Sequence, residues 1–182
     1  MLHPVPFRYG EPQIETEVSV FITWVPHTAD DEAWENLISS CRAYYSHQYA
    51  SAVLPANVAV EARLSRLLTS FLEQFVGNER VARFLEDGAT YSHQLNVLLP
   101  AFATLKGVRH LPDQIRGHLN TLRSFRNDIA HKGAPAKKLE QNDMANCLCA
   151  ALFAFHYLNL IEASMIESSD LTNESSEANL NA

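Results

Sequence analysis

A chain of 182 residues is long enough to bury one hydrophobic core and still carry tails. Six glycines and few β-branched runs favour helices over a sandwich or barrel, and a net charge of −7 argues against a general nucleic-acid binder. Three cysteines, with Cys147 and Cys149 pointing to different sides of an expected helix, indicate neither a disulfide framework nor a zinc site, which fits a reducing cytoplasm.

Residues 1–28 form an N-terminal arm whose prolines at 4, 6, 12 and 26 interrupt any helix. No positive segment followed by an apolar one opens it, so no signal peptide is expected. Within the arm, Glu17 to Val25 is β-branched and aromatic and predicts one short strand or extended segment. A lone strand must pack on other elements or pair with its copy in a dimer.

A helical domain is predicted over residues 29–166. Its first helix starts after Thr28 or Asp30, where Asp30, Asp31 and Glu32 suit a positive helix terminus, and runs to about Ser46. Tyr49 to Phe75 reads as a second helix, kinked or restarted at Pro55 and stopped by Gly77-Asn78. Beyond Pro55 its seam is Val58, Glu61, Leu64, Leu68, Phe71 and Phe75, so one carboxylate stands in an apolar stripe. Asn78 to Glu86 predicts a short helix ended by Gly88, and Tyr91 to Leu105 another, with Pro100 inside it.

A basic connection, Gly107 to Leu111, leads to Pro112 at the first position of the next helix. That helix has apolar residues at 115, 119, 122 and 129, a buried seam of helical period. Its missing member is position 126, an arginine. A permanently charged guanidinium on an apolar stripe needs a carboxylate, a set of carbonyls or an incoming anion such as phosphate. Glu61, equally out of place in its own stripe, is the expected partner, and Glu61 with Arg126 is assigned a structural ion pair. Five residues on stands His131, whose proton moves most easily near neutral pH. Asn127 and His131 share a helix face, with Arg123 one turn earlier. Arg126 and His131 are ~140° apart around the axis. They meet only if the helix unwinds towards Gly133 or if two chains each bring one motif to a shared cleft.

Arg126-Asn127-(three residues)-His131 at a helix end, in an all-helical chain of this size, resembles the HEPN superfamily. That family's signature is an arginine, usually followed by a polar residue, then a histidine, with four to six residues between arginine and histidine. The resemblance covers about residues 30–165. It implies an all-α, HEPN-like bundle of about five to six helices. It also implies metal-independent endoribonuclease activity, often in dimers whose two motifs face each other, although some members are non-catalytic binding modules. Arg42 and His47 show the same bare spacing, but Ala43 follows the arginine and the run is mid-helix; this pair is read as packing or surface.

Lys106 to Lys138 carries eight basic residues against two acidic ones, so the segment is +6 within a negative chain. Arg116, Arg123, Lys132, Lys137 and Lys138 are the expected RNA-binding residues of a phosphate-binding face. Asp128 is assigned to Lys132, one turn on. No metal or cofactor is expected: His93 and His118 lack a second ligand type nearby, and His110 with Asp113 supplies only two groups. The last helix, about Leu139 to Met165, is apolar nearly all round, so it is either the most buried element or half of a dimer interface. His156 in it reads as a core histidine. The apolar run Cys147 to Ile161 is too short to span a bilayer, and no membrane partner is expected. Residues 167–182 turn to Ser, Asn and Glu, an expected disordered acidic tail.

Two functions follow. In one, His131 moves protons, Arg126 holds phosphate oxygens and Asn127 orients one of them, giving an RNA-cleaving homodimer, a toxin or defence factor with a possible antitoxin partner. In the other, a non-catalytic helical module dimerises or binds a nucleotide or protein partner without cutting.

Overall fold

The computed structural model describes residues 32–135 and 138–180, with side chains as far as residue 163. The strand expected over 17–25 and Lys137 lie outside them. Among the described residues the chain is all-helical, a bundle of six helical rods with no strand.

The first rod is α1, Glu32–Tyr45, and the second α2, Tyr49–Leu72. Between them His47 takes a left-handed conformation (φ 58°), and Gln48 N–H reaches back to Ala43 O at 2.9 Å. That closes an αα-hairpin over three residues. Ser40, fully buried, donates its hydroxyl to Ala52 O at 2.7 Å and stitches the two helices together. Small residues at Ala52, Ala56 and Ala59, all without exposure, let the helices approach closely. Pro55 lies in the second turn of α2, which runs through it as one helix. Early placement limits the loss to the Ser51 carbonyl, which has no N–H four residues on.

The third rod is α3, Asn78–Arg83, continued by a wider π-helical turn over Phe84–Gly88. The fourth joins α4, Tyr91–His93, a second π-helical turn, Gln94–Leu98, and α5, Leu99–Leu105, with Pro100 at its start. Asp113–Lys132 forms α6, with Pro112 as its N-cap rather than its first residue. It ends at Gly133, whose positive φ of 73° brings its N–H onto Ile129 O at 2.9 Å, a left-handed cap that glycine adopts without penalty.

The sixth rod, α7, spans Gln141–Leu180, past the expected end near Met165. No glycine or proline occurs after Pro135, so nothing in the backbone chemistry stops it. Its Gln141–Ala163 part is long and apolar enough to cross a membrane by length and composition, longer than the run judged too short from sequence, and half of it is buried inside the bundle. Met144, Cys147, Leu148, Ala151, Phe155, Leu158 and Ile161 face α1, α2 and α6. The opposite face is exposed: Leu152 at 40%, Phe153 at 47% and Leu160 at 58%. His156 lies on this outer face, not in the core, because it falls one turn from Leu152 and Leu160.

One buried charge went unread in the sequence. Arg63 on α2, 7% exposed, bonds through Nη2 to Glu162 and through Nε to Asn159, both on α7. The charged seam partner of α2 is therefore Arg63 toward α7. Val58 and Glu61 sit at the margin of the buried face, and Phe75, past the helix end, is 70% exposed.

Candidate functional site

Three segments converge beside the middle of α6. From α2 come Asn57 and Glu61, from the start of α4 Thr90, Tyr91 and Ser92, and from α6 Arg123, Arg126 and Asn127; together they line a cavity of about 300 Å³.

Each wall is held by bonds of its own. Gln94, 5% exposed, donates to Ala89 O at 2.9 Å and to Leu85 O at 3.4 Å, pinning the turn that presents Thr90 to Ser92. Asn96 and Asn120 exchange amide bonds at 3.1 and 3.0 Å, locking the fourth rod onto α6. On α2, Asn57 Nδ2 donates to Glu61 Oε2 at 3.0 Å, one turn on. That bond fixes the amide orientation: the opposite flip would set two oxygens against each other. On α6, Arg123 and Arg126 are i and i+3 and so share a side.

The cavity's interior is under-satisfied. Among the described residues, five buried side-chain N or O atoms lack a hydrogen-bond partner, and four belong to its lining: Asn57 Oδ1, Tyr91 OH, Arg123 Nε and Arg126 Nε. Asn57 is 1% exposed and Tyr91 7%. Each orphaned buried polar atom costs roughly 1–3 kcal/mol, and four of the five such atoms belong to residues around one cavity, which makes it the candidate site. Burial first, then the nearby Glu61 carboxylate, raises the Tyr91 hydroxyl well above its ordinary range, while Arg123 opposes the shift. Tyr91 therefore enters the site as a neutral hydroxyl.

The expected ion pair between Glu61 and Arg126 is absent. Both side chains line the cavity, yet neither a hydrogen bond nor a salt bridge joins them. Glu61 is turned to Asn57, and Arg126 Nη1 donates to Asn127 Oδ1 at 3.2 Å. Seam periodicity placed both residues at the same interface, but it does not resolve whether two charges touch or flank a gap. Asn127 is accordingly bonded to Arg126, not to His131.

His131 stands in the last turn of α6, exposed, and does not line the cavity. One chain thus presents the arginine and the histidine of the motif at separate points, as their angular separation on a straight helix requires. The expected basic face also divides. Arg123 enters the cavity. Arg116 is held by Asp113 at 2.5 Å, and Lys132 by Asp128 at 2.7 Å as anticipated. Lys138 borders a different depression, beside His47, Tyr49 and Leu139. Arg42 and His47 are both exposed, and His47 Nδ1 meets Tyr49 OH at 2.9 Å, so the second Arg-x4-His spacing forms no site. His93 and His110 are bonded to Thr90 and Thr104, and no group of three metal-ligating side chains converges among the described residues.

Sequence reasoning missed Asn57 and Tyr91. Asn57 was findable, since it lies one turn before Glu61 on the same helix. Tyr91 carried no signal, because its place depends on the turn that Gln94 holds. The chain matches no protein-family model, no curated protein and no solved structure.

Proposed function

We propose that the protein is a metal-independent endoribonuclease of HEPN type, in which Arg126, with Arg123 beside it, holds an RNA phosphate and His131 transfers the proton. The observation that carries this reading is that two arginines, Arg123 and Arg126, line one cavity and that each has a buried Nε without a partner. Guanidinium binds phosphate oxygens through paired N–H donors, and a phosphate there satisfies both orphaned atoms.

The reaction begins with attack of the ribose 2′-oxygen on the adjacent phosphorus. A base removes the 2′-hydroxyl proton, the arginines stabilise the charge on the phosphorane, and an acid protonates the leaving 5′-oxygen. The products are a 2′,3′-cyclic phosphate and a 5′-hydroxyl end. Two proton-transfer groups are needed, and each motif holds one histidine. A second copy supplies the other, brought in by a homodimer.

The test is incubation of the wild type and His131→Ala with a mixed RNA pool in EDTA, with product ends mapped. Cyclic phosphate ends made by the wild type and absent from the variant are expected; cleavage that survives the substitution sinks the proposal.

A second reading, binding without cleavage, is favoured by the position of His131 outside the cavity lining. Under it, His131→Ala changes nothing and Arg126→Met abolishes nucleotide binding.

A further inference from the structure

We infer that the cavity between α2, Tyr91 and α6 is a subsite for a single guanine nucleotide, with the phosphate on Arg123 and Arg126 and the base on Glu61 and Asn57. The inference rests on the preceding section only in taking the arginine-bound anion to be a phosphate.

The lining sorts into two chemistries. On the α6 side are donors, the Nε groups of Arg123 and Arg126. On the α2 side are acceptors, Asn57 Oδ1, which is buried and unpartnered, and the Glu61 carboxylate, one oxygen of which already accepts from Asn57 Nδ2. Tyr91 OH, buried and unpartnered, stands as a third polar group in the same lining and gives or takes one hydrogen bond. A bare phosphate satisfies the arginines and leaves Asn57 Oδ1 orphaned, with a carboxylate facing an anion. A ligand that completes the site must therefore carry an acceptor-rich, anionic end and a donor end.

A nucleotide has this form, and the four bases differ in what they offer a carboxylate. Guanine presents two neighbouring donors, N1–H and the N2 amino group. Adenine and cytosine set one amino group beside a bare ring nitrogen, and uracil flanks its single N–H with two carbonyls. Each of those lone pairs is repelled by Glu61, so among the four bases guanine alone offers the carboxylate two adjacent donors with no opposing lone pair. A cavity of about 300 Å³ is at the small end of ligand sites, which suits one nucleotide unit rather than a longer strand.

Binding of the 3′- and 5′-monophosphates of guanosine, adenosine, cytidine and uridine, and of inorganic phosphate, to the full chain is measured by calorimetry. A guanosine monophosphate is expected to bind about tenfold tighter than the other nucleotides, and Glu61→Gln, checked for an unchanged melting midpoint, to remove that preference while phosphate still binds. Equal binding of all four bases, or inorganic phosphate binding as tightly as guanosine monophosphate, overturns the inference, and neither result depends on the variant folding. The outcome is separable from cleavage. Guanine preference in a protein that cuts no RNA supports the subsite and removes the nuclease; RNA cleavage by a protein that binds no nucleotide here does the reverse.

Discussion

Two buried arginine environments in this bundle have opposite fates. Arg63 on α2 is sealed at 7% exposure and is bonded to Glu162 and Asn159 on α7. Arg123 and Arg126 on α6 keep buried Nε atoms without a partner, beside a cavity whose opposite wall adds two more orphaned polar atoms. Both cost desolvation. In the first, helix packing recovers the cost through charge-assisted bonds; in the second, the bond of Arg126 Nη1 to Asn127 recovers part of it and both Nε atoms stay without a partner. A satisfied guanidinium is a staple between helices; an unsatisfied one beside a cavity is the kind of group that the proposed function puts to use. The difference sets a scaffold arginine apart from the candidate site.

The largest effect that would sharpen this contrast is on chemistry. His131→Ala is expected to lower RNA cleavage by about 10²- to 10⁴-fold, the usual contribution of a general acid or base, with the melting midpoint unchanged because the side chain is exposed. A shifted midpoint would assign His131 to the helix end as a cap.

Next comes the scaffold. Arg63→Met leaves Glu162, at the α2–α7 contact, with only its 3.9 Å approach to Arg66. It is expected to cost at most roughly 3 kcal/mol in denaturant unfolding, the low end for a buried pair, because Glu162 keeps that second partner and is a quarter exposed. The matching substitution on the other side is Arg126→Met. It removes an unpaired polar atom, so stability should change by less than about 1 kcal/mol, while nucleotide binding falls. Seam position alone predicts a stability loss at Arg126, and the orphaned Nε reverses that expectation. Equal destabilisation by the two variants would break the contrast.

The smallest effect lies at Tyr91. Its hydroxyl value is raised in the folded chain, so stability from this group is fully present below the ordinary value near 10 and erodes as pH rises above it, when the unfolded chain alone ionises. Urea midpoints of wild type and Tyr91→Phe should therefore run parallel up to about pH 9.5, and above it the wild type should fall relative to the variant. A constant offset across that range would mean the hydroxyl is not shielded.

Much of the architecture was legible in sequence. The α6 limits follow from Pro112 and Gly133, the αα-hairpin from the Ser46-His47-Gln48 break, and the Asp128–Lys132 pair from spacing of four. The odd residues in the seams, Glu61 and Arg126, both line one cavity, as their placement at a shared interface implied, but the contact expected between them is absent. Arg63 was hidden because a charged residue two positions from Glu61 reads as the solvent side of a narrow stripe. In the fold α2 is buried across a wide face, since α1, α6 and α7 all pack on it.

By itself the sequence determined that this chain is helical, where its helices break, and that an arginine and a histidine stand near one helix end. Those properties are local, set by backbone chemistry and by the period of the apolar residues. Only the tertiary structure decided which charges found partners. Pairing depends on side chains from helices far apart in the chain meeting within about 3 Å, a distance that no periodicity encodes. Arg63 met Glu162, and Arg126 met a cavity.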